Sequence, residues 1–163
     1  TPVIKEVRGT TIGFLAYTAV GSPSWQATEN QPGIAWVDWK NLEAVAKDIQ
    51  AAKSQTDILV VSLHAGDEYA KEPNEFQRTF AQSAINAGAD LIIGHHPHVV
   101  QPVEQYKNGW IAYSLGNFVF DQGFSEETMV GAMLQVVVEN KTIKDVTLLP
   151  TKLNSSFQVE LVE

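Results

Sequence analysis

The stretches DILVVSLHAG at residues 57–66 and DLIIGHHPH at residues 90–98 decide the fold. Each begins with an aspartate and continues as an apolar run that leads into histidine, which is typical of strands buried on both faces of a parallel sheet. Between them, Asn74 and Gln77 have the spacing of a capping box, and apolar residues at helical spacing predict a helix over residues 75–87. Strand, helix and strand predict a βαβ unit with a right-handed crossover, so we expect an α/β fold.

The flanking segments extend this unit. Residues 3–7 and 10–18 are predicted strands, and a helix is predicted to start after Asn41, its N-cap, and to run to about Ser54. The downstream half predicts strands without helices, at residues 99–106, 110–114, 129–139 and 142–149, with hairpin turns at Asn108-Gly109 and Asn140-Lys141. We therefore expect this half to be an antiparallel layer.

Composition and charge exclude several classes of function. The 163 residues, 44% hydrophobic and 18% charged, are typical of a globular domain. The net charge of -8 opposes binding to phosphate backbones, so we expect no nucleic-acid partner. The chain has no cysteine, which excludes thiolate metal ligands and thiol nucleophiles. It also lacks a GxSxG elbow and a glycine-rich phosphate loop, which argues against a triad hydrolase and a P-loop enzyme.

The histidines are concentrated where the two buried strands end. All four of them lie there, at His64, His95, His96 and His98. Because parallel strands end at the same edge of a sheet, these imidazoles should lie close together, and imidazole is the commonest metal ligand near neutral pH. Asp67 and Glu68 add carboxylate oxygens to the same region. The alternative is that each histidine only hydrogen-bonds to nearby backbone, but four in one place favour a metal site.

A third strand end carries a further candidate. The stretch YSLGNF at residues 113–118 ends an apolar run with Ser, Gly and Asn. Asn117 could place its amide oxygen on a metal ion or hold a substrate oxygen. The pattern supports equally the alternative that this side chain satisfies its own turn.

Three motifs give the chain a family resemblance: HAGDEY at residues 64–69, GADLIIGHHPHVVQPVEQY at residues 88–106 and YSLGNFVFD at residues 113–121. They closely resemble the capsule synthesis protein CapA family, also called poly-γ-glutamate biosynthesis proteins. That family is similar to the calcineurin-like metallophosphoesterases. The resemblance implies a four-layer α/β/β/α sandwich with a pair of divalent metal ions between two sheets, and it leaves open whether these are Mn, Fe, Zn or Mg.

The resemblance also implies roles for individual residues. His64 matches the family's lone strand-end histidine, while His96 and His98 match its pair of ligand histidines, so these three are the predicted metal ligands. His95 is the extra histidine, an alternative to His96 as ligand and otherwise a catalytic candidate. Glu68 matches an acidic position of the family and is the second catalytic candidate, as an acid/base or as a support for the ligands. The predicted substrate-binding residues are Asp67 and Asn117.

The start of the chain departs from the family pattern. Members of the family begin with a Gly-Asp strand, an Asn-x-Glu motif and an Asn-Asn-His motif, which supply further metal ligands, and this sequence has none of the three before its first strands. We therefore expect residues 1–163 to be the carboxyl-terminal portion of a single CapA-like domain without its amino-terminal portion. Uncovered sheet edges and apolar faces should then pair with the missing half or with another copy.

The leading functional hypothesis is a CapA-type protein that helps to make, export or anchor an anionic polymer such as poly-γ-glutamate. It would use metal-assisted chemistry on a phosphoester, amide or similar bond, with a histidine or Glu68 carrying a proton. One alternative is a non-catalytic polymer-binding or assembly component of an envelope synthesis complex, and another is a general metallophosphodiesterase. The resemblance implies a location in the cell envelope or on its extracellular face, although the sequence shows no signal peptide or anchor.

Overall fold

The computed structural model describes residues 1–162 and contains a six-stranded mixed sheet, two helices on one of its faces, and a three-stranded antiparallel sheet. In chain order the elements are β1 (Val3–Val7), β2 (Thr10–Thr18), α1 (Leu42–Lys53), β3 (Ile58–His64), α2 (Glu75–Asn86), β4 (Leu91–His95), β5 (Val103–Tyr106), β6 (Gly109–Ala112), β7 (Val130–Glu139), β8 (Thr142–Leu153) and β9 (Val159–Leu161). None of the helices in residues 1–162 has the length and apolarity needed to cross a bilayer.

The predicted βαβ unit forms the centre of the larger sheet. Its strand order is β1-β2-β3-β4-β6-β5, and β3 pairs in parallel with β4 as the sequence predicts. The register pairs Val61 with Ile92 and His64 with His95. The two strands therefore end level with each other, and both deliver a histidine to the same edge of the sheet.

The two faces of this sheet differ in their covering. On the helical side, Leu59 and Val61 pack with Ile49 of α1 and Phe80 of α2 in one fully buried cluster. Burying aliphatic side chains of this size contributes about 1.5–3 kcal/mol each, so this layer supplies much of the stability. On the opposite side, Phe14 is 43% exposed and lines a cavity of about 720 Å³ with Val60 and Ile93, and Asp48 and Ala51 of α1 line the same cavity.

The predicted helix starts have different outcomes. At α2 the capping box is confirmed, because the Asn74 side chain accepts from the Gln77 amide and the Gln77 side chain accepts from the Asn74 amide. At α1 the predicted cap is wrong in its chemistry, although Asn41 does occupy the N-cap position. Its side chain accepts from the Asp38 amide and donates to the Trp36 carbonyl, so it stabilises the preceding loop instead of the helix.

The prediction that the downstream half forms one antiparallel layer is wrong in part. β5 and β6 form the expected hairpin, but β6 joins the main sheet in parallel with β4, pairing Leu91 with Trp110. A local pattern predicts the hairpin but not the sheet to which it is added, because that choice depends on long-range packing. Only β7, β8 and β9 form a separate antiparallel sheet. It meets the main sheet's loops through an isolated bridge between Gly116 and Gly131.

Candidate metal centre

The predicted gathering of histidines at one sheet edge is confirmed. His64 and His95 are register partners at the ends of β3 and β4, and the Ala65 amide donates to the His95 carbonyl over 3.0 Å. The ring centroids of His64 and His96 are 4.9 Å apart, and those of His96 and His98 are 5.8 Å apart. Three imidazoles from two neighbouring strand ends thus surround one small volume.

A carboxylate joins two of these imidazoles. One side-chain ligand atom each of Glu68, His96 and His98 lies within 4.8 Å of the other two. Atoms so spaced can converge on one cation with modest side-chain movement, because metal–ligand distances are about 2.0–2.3 Å. His64 lies outside this group of three, but its ring is next to His96.

The loop that carries Glu68 is tied to the histidine segment. The Tyr69 amide donates to the Pro97 carbonyl over 2.8 Å, which joins the loop after β3 to the loop after β4. Gly66 has a φ of +120°, and a Cβ there would lie 2.6 Å from the Gln77 side chain, so the turn before Glu68 needs glycine. These constraints explain why Glu68, two residues beyond Gly66, comes to the same place as His96.

The histidine segment has an unusual backbone. His96 has a φ of +103° and His98 a φ of +61°, on either side of Pro97. Histidine at positive φ costs of order 1–3 kcal/mol, and such residues cluster at functional sites. The cost is compatible with a segment whose imidazoles are needed in one particular direction.

The surroundings lower the pKa of three of these imidazoles, those of His64, His95 and His96. The His64 side chain is exposed at the surface, but partial burial of its ring lowers its pKa, and the neighbouring histidines lower it further. Burial likewise lowers the pKa of His95. For His96, burial is again the largest cause of a lowered pKa, while the charges of Glu68 and Asp67 act in the opposite direction. Because only the neutral ring offers a lone pair, these shifts favour metal binding at and below neutral pH.

Two predicted site residues lie at the margin of the cluster. His95 lines a pocket of about 320 Å³ with His64 and Ser62, on the sheet face opposite the helices. Asp67 is exposed on the same loop as Glu68, and its charge acts on His96. Asp67 is exposed and His95 is exposed in part, so a substrate could reach both of them near the imidazoles.

Asn117 is buried and already engaged. It is 5% exposed, and its Oδ1 lies 2.9 Å from Nδ1 of His98. Its Nδ2 donates to the Thr128 carbonyl over 3.0 Å and to Oε1 of Gln122 over 3.1 Å. The side chain therefore contacts a predicted ligand from behind, and its role in substrate binding stays a prediction.

An aromatic rim around His98 has no counterpart among the sequence-based predictions. The rings of Tyr69 and Phe120 lie 6.0 Å and 5.2 Å from the His98 ring, and Phe124 packs edge-on against Tyr69. Tyr69 and Phe120 do fall within the family-like motifs, but nothing in their spacing indicates that they meet at one histidine. Their contact depends on the path of the loop after β6.

The donor set fits a divalent transition metal. Two imidazole nitrogens and one carboxylate oxygen, with a third imidazole adjacent, suit Zn²⁺, Mn²⁺ or Fe²⁺ better than Ca²⁺, which prefers oxygen ligands alone. His64 and Glu68 are exposed, so a substrate atom could approach an ion held there.

Comparison with solved structures shows which fold the chain has. A Staphylococcus aureus protein described as a candidate 5′-nucleotidase, solved with α-ketoglutarate, superposes with a TM-score of 0.59 at 19% identity, covering 98% of this chain and 31% of that one. At this identity the likeness shows the fold alone. The protein thus has the same mixed α/β fold as the matching part of that structure.

Sequence comparison gives the family. The model of the bacterial capsule synthesis protein PGA_cap matches residues 1–122, so the chain belongs to that family. The PGA biosynthesis protein CapA of Bacillus subtilis is 44% identical over 131 residues, which are 80% of this chain and 33% of the relative. The capsule biosynthesis protein CapA of Bacillus anthracis is 40% identical over 137 residues, 82% of this chain and 32% of the relative. The chain thus spans about a third of the length of these relatives.

Proposed function

We propose that the protein acts in the biosynthesis or export of an anionic capsule polymer such as poly-γ-glutamate, through a metal-dependent hydrolase-like site. The observation that carries the proposal is the cluster of Glu68, His96 and His98 in a chain of the PGA_cap family. The names of the two Bacillus relatives refer to PGA biosynthesis and to capsule biosynthesis, and they support a capsule polymer as the product of the process in which this protein acts.

In this proposal the ligands are His96, His98 and Glu68, with His64 completing the set from the neighbouring strand. A divalent cation held by these residues would supply Lewis-acid polarisation of a phosphoryl or carbonyl oxygen. The lowered pKa values of His64 and His96 favour the neutral form of these two rings, which is the form that binds a metal. Glu68 thereby moves from a catalytic candidate to a ligand, since its carboxylate lies within coordinating reach of both histidines.

Proton transfer falls to a different residue. His95 lines the pocket beside His64, and partial burial lowers the pKa of its ring, so a neutral His95 could accept the proton that the attacking water releases as it adds to a substrate in that pocket. Asp67, exposed beside Glu68, is the matching candidate for contact with the substrate.

The remaining expectations concern ion number, location and partners. A second ion, and the choice among Mn, Fe, Zn and Mg, are part of the proposal, with further ligands coming from outside the cluster. Capsule biosynthesis in the relatives supports association with the cell envelope. The apolar sheet face around Phe14 and Val60 supports a partner that covers it, either an amino-terminal part of a longer protein or a second copy.

The test measures metal content and turnover together. The protein is loaded with Mn²⁺ and assayed on a phosphodiester and on a γ-glutamyl peptide, alongside His96→Ala and Glu68→Gln. We expect both variants to lose bound metal and to lose turnover by more than the roughly 10–100-fold that removal of an outer hydrogen-bond partner costs. Glu72→Gln is the matched control, because Glu72 is another exposed glutamate of the same loop and pairs with Arg78.

Two results would contradict the proposal. A wild-type protein that binds no divalent metal and turns over neither substrate would indicate a non-catalytic polymer-binding or assembly component. Turnover that is equal in wild type and His96→Ala would place the chemistry elsewhere.

A further inference from the structure

The His98 ring has a hydrogen-bond partner behind it. Nδ1 of His98 and Oδ1 of Asn117 are 2.9 Å apart, and Asn117 is almost fully buried. This single contact decides which ring nitrogen carries the proton, provided that the amide of Asn117 has only one possible orientation.

The surroundings of Asn117 fix that orientation. The Thr128 carbonyl lies 3.0 Å from Nδ2 of Asn117, and a carbonyl oxygen can only accept, so the amide nitrogen must face it. Nδ2 also donates to Oε1 of Gln122 over 3.1 Å, which uses its second hydrogen. The oxygen of Asn117 must therefore face His98.

The tautomer of His98 follows from this orientation. An amide oxygen only accepts hydrogen bonds, so Nδ1 of His98 has to donate and must carry the proton. In a neutral ring the lone pair then belongs to Nε2. Metal-binding histidines are commonly oriented in this way, by a partner on the nitrogen that does not bind the metal.

Other contacts restrict rotation of the ring. Tyr69 stacks on His98 with 29° between the ring planes, and the Phe120 ring lies 5.2 Å from the His98 ring, tilted by 35°. Gln122 links Asn117 to Tyr69, because its Nε2 donates to the Tyr69 hydroxyl over 2.9 Å while its Oε1 accepts from Asn117. Ring, amide and aromatic neighbours form one connected unit.

The second sheet holds Asn117 in place. Gly116, the residue before it, bridges to Gly131 of β7, and the Ala132 amide donates to the Leu115 carbonyl over 2.8 Å. A Cβ on Gly131 would lie 1.9 Å from the Asn117 carbonyl oxygen, so β7 runs directly against this residue. The antiparallel sheet thus reaches the candidate metal centre through Asn117.

We infer that Asn117 is a positioning residue, which holds His98 as the Nδ1–H tautomer and keeps its Nε2 free as the ligand atom. The tautomer depends only on residues of this chain. Its consequence for metal binding rests on the proposed function. Asn117 thereby acts on any bound ion through His98, without contacting the substrate.

The first experiment observes the tautomer in the metal-free protein. Long-range ¹H–¹⁵N correlation NMR at about pH 8, where imidazole is neutral, distinguishes protonated from unprotonated ring nitrogens. The His98 signals are assigned by their loss in His98→Gln. We expect wild type to show Nδ1–H, and Asn117→Ala to shift toward Nε2–H or a mixture, while Asn30→Ala, an exposed asparagine, leaves the signals unchanged.

The wild-type spectrum alone can overturn the inference. An Nε2–H tautomer of His98 in wild type contradicts it, whether or not any variant folds. An unchanged tautomer in a folded Asn117→Ala protein also contradicts it, because the amide would then not be the cause.

The second experiment measures Mn²⁺ affinity by calorimetry. We expect Asn117→Ala to weaken binding about 10–100-fold, while Asn30→Ala binds as wild type does. Equal affinity in wild type and Asn117→Ala would refute the role of Asn117 in ligand positioning. A wild type that binds no Mn²⁺ would contradict the proposed function instead, and the NMR result would still decide the tautomer.

Discussion

The chemistry of the candidate centre depends on imidazoles that remain neutral. Burial is the largest cause of the lowered pKa at His64, His95 and His96, and crowding by like groups adds to it at His64. A protonated imidazole cannot bind a metal, so the same burial that costs stability in acid keeps the ligands available. Ligand availability and acid sensitivity are thus linked in these residues.

This linkage predicts how the stability of the metal-free protein varies with pH. An unperturbed histidine titrates near 6.5, whereas the pKa values of His64, His95 and His96 lie lower in the folded protein, so through these three residues the unfolded state binds more protons just below pH 6.5. We expect the free energy of unfolding, measured with urea, to be constant above about pH 7 and to fall between about pH 6.5 and 5.5.

The control is a triple variant with His64→Gln, His95→Gln and His96→Gln. Its free energy of unfolding should change less between about pH 6.5 and 5.5 than that of wild type. Asp57 and Glu127 also have a lowered pKa, but carboxyl groups ordinarily titrate below this window, and a downward shift takes them further from it. Equal stability of wild type at pH 7.5 and about pH 5.5 would contradict the assigned direction of the histidine shifts.

Some site residues could be predicted from sequence and others could not. His64, His95, His96 and His98 end predicted strands, and a parallel pair delivers its ends to one edge, so their proximity followed from local patterns. The hydrogen bond to Nδ1 of His98 comes from Asn117, which follows β6, and the path of the chain there depends on the second sheet. No spacing rule connects Asn117 or Phe120 to His98, because the contact is made by tertiary structure alone.

Among the elements, α2 links the fold to the site. Gln77 is 1% exposed and its Oε1 accepts from the Asn74 amide, closing the capping box. Its Nε2 donates to Oε1 of Gln101 over 2.9 Å, and Gln101 in turn donates to the Ala70 carbonyl over 2.8 Å. One side chain thus connects the start of the helix to the loop that carries the candidate ligand Glu68.

This position predicts a large effect of Gln77→Ala. The variant loses a cap interaction of about 1 kcal/mol and leaves buried polar groups without partners, at about 1–3 kcal/mol, so the free energy of unfolding should fall by about 2–4 kcal/mol. Gln50→Ala, at an exposed position of α1, should change it by no more than about 0.5 kcal/mol. Urea unfolding measures both, and equal effects would show that the Gln77 network contributes nothing specific.

The elements were predictable where their signals were local. The capping box of α2 and the apolar runs of β3 and β4 are contiguous in sequence, and the structure confirms all three. The placement of β6 beside β4 was missed, because a hairpin signal does not say which strand it will join. Asn41 shows the same limit. Its position predicts a helix cap, but its side chain donates to the Trp36 carbonyl in the preceding loop.

The two faces of the main sheet are covered to different extents, and the candidate centre lies at the edge where β3 and β4 end. Helices cover one face of the main sheet, while the other presents the partly exposed Phe14 and Val60 beside the pocket that contains His64 and His95. The chain spans about a third of the length of its Bacillus relatives. A segment or partner that covers this face would also lie next to His64 and His95. The remaining parts of the longer relatives could therefore contact the site.

The central claim is that Glu68, His96 and His98 hold one divalent cation, and anomalous X-ray diffraction from crystals soaked in Mn²⁺ tests it most directly. The claim predicts an anomalous peak about 2.0–2.3 Å from a ring nitrogen of both histidines and a carboxylate oxygen of Glu68. It also predicts that this peak disappears in His96→Ala crystals. A wild-type map at millimolar Mn²⁺ with no peak among these three side chains would contradict the claim.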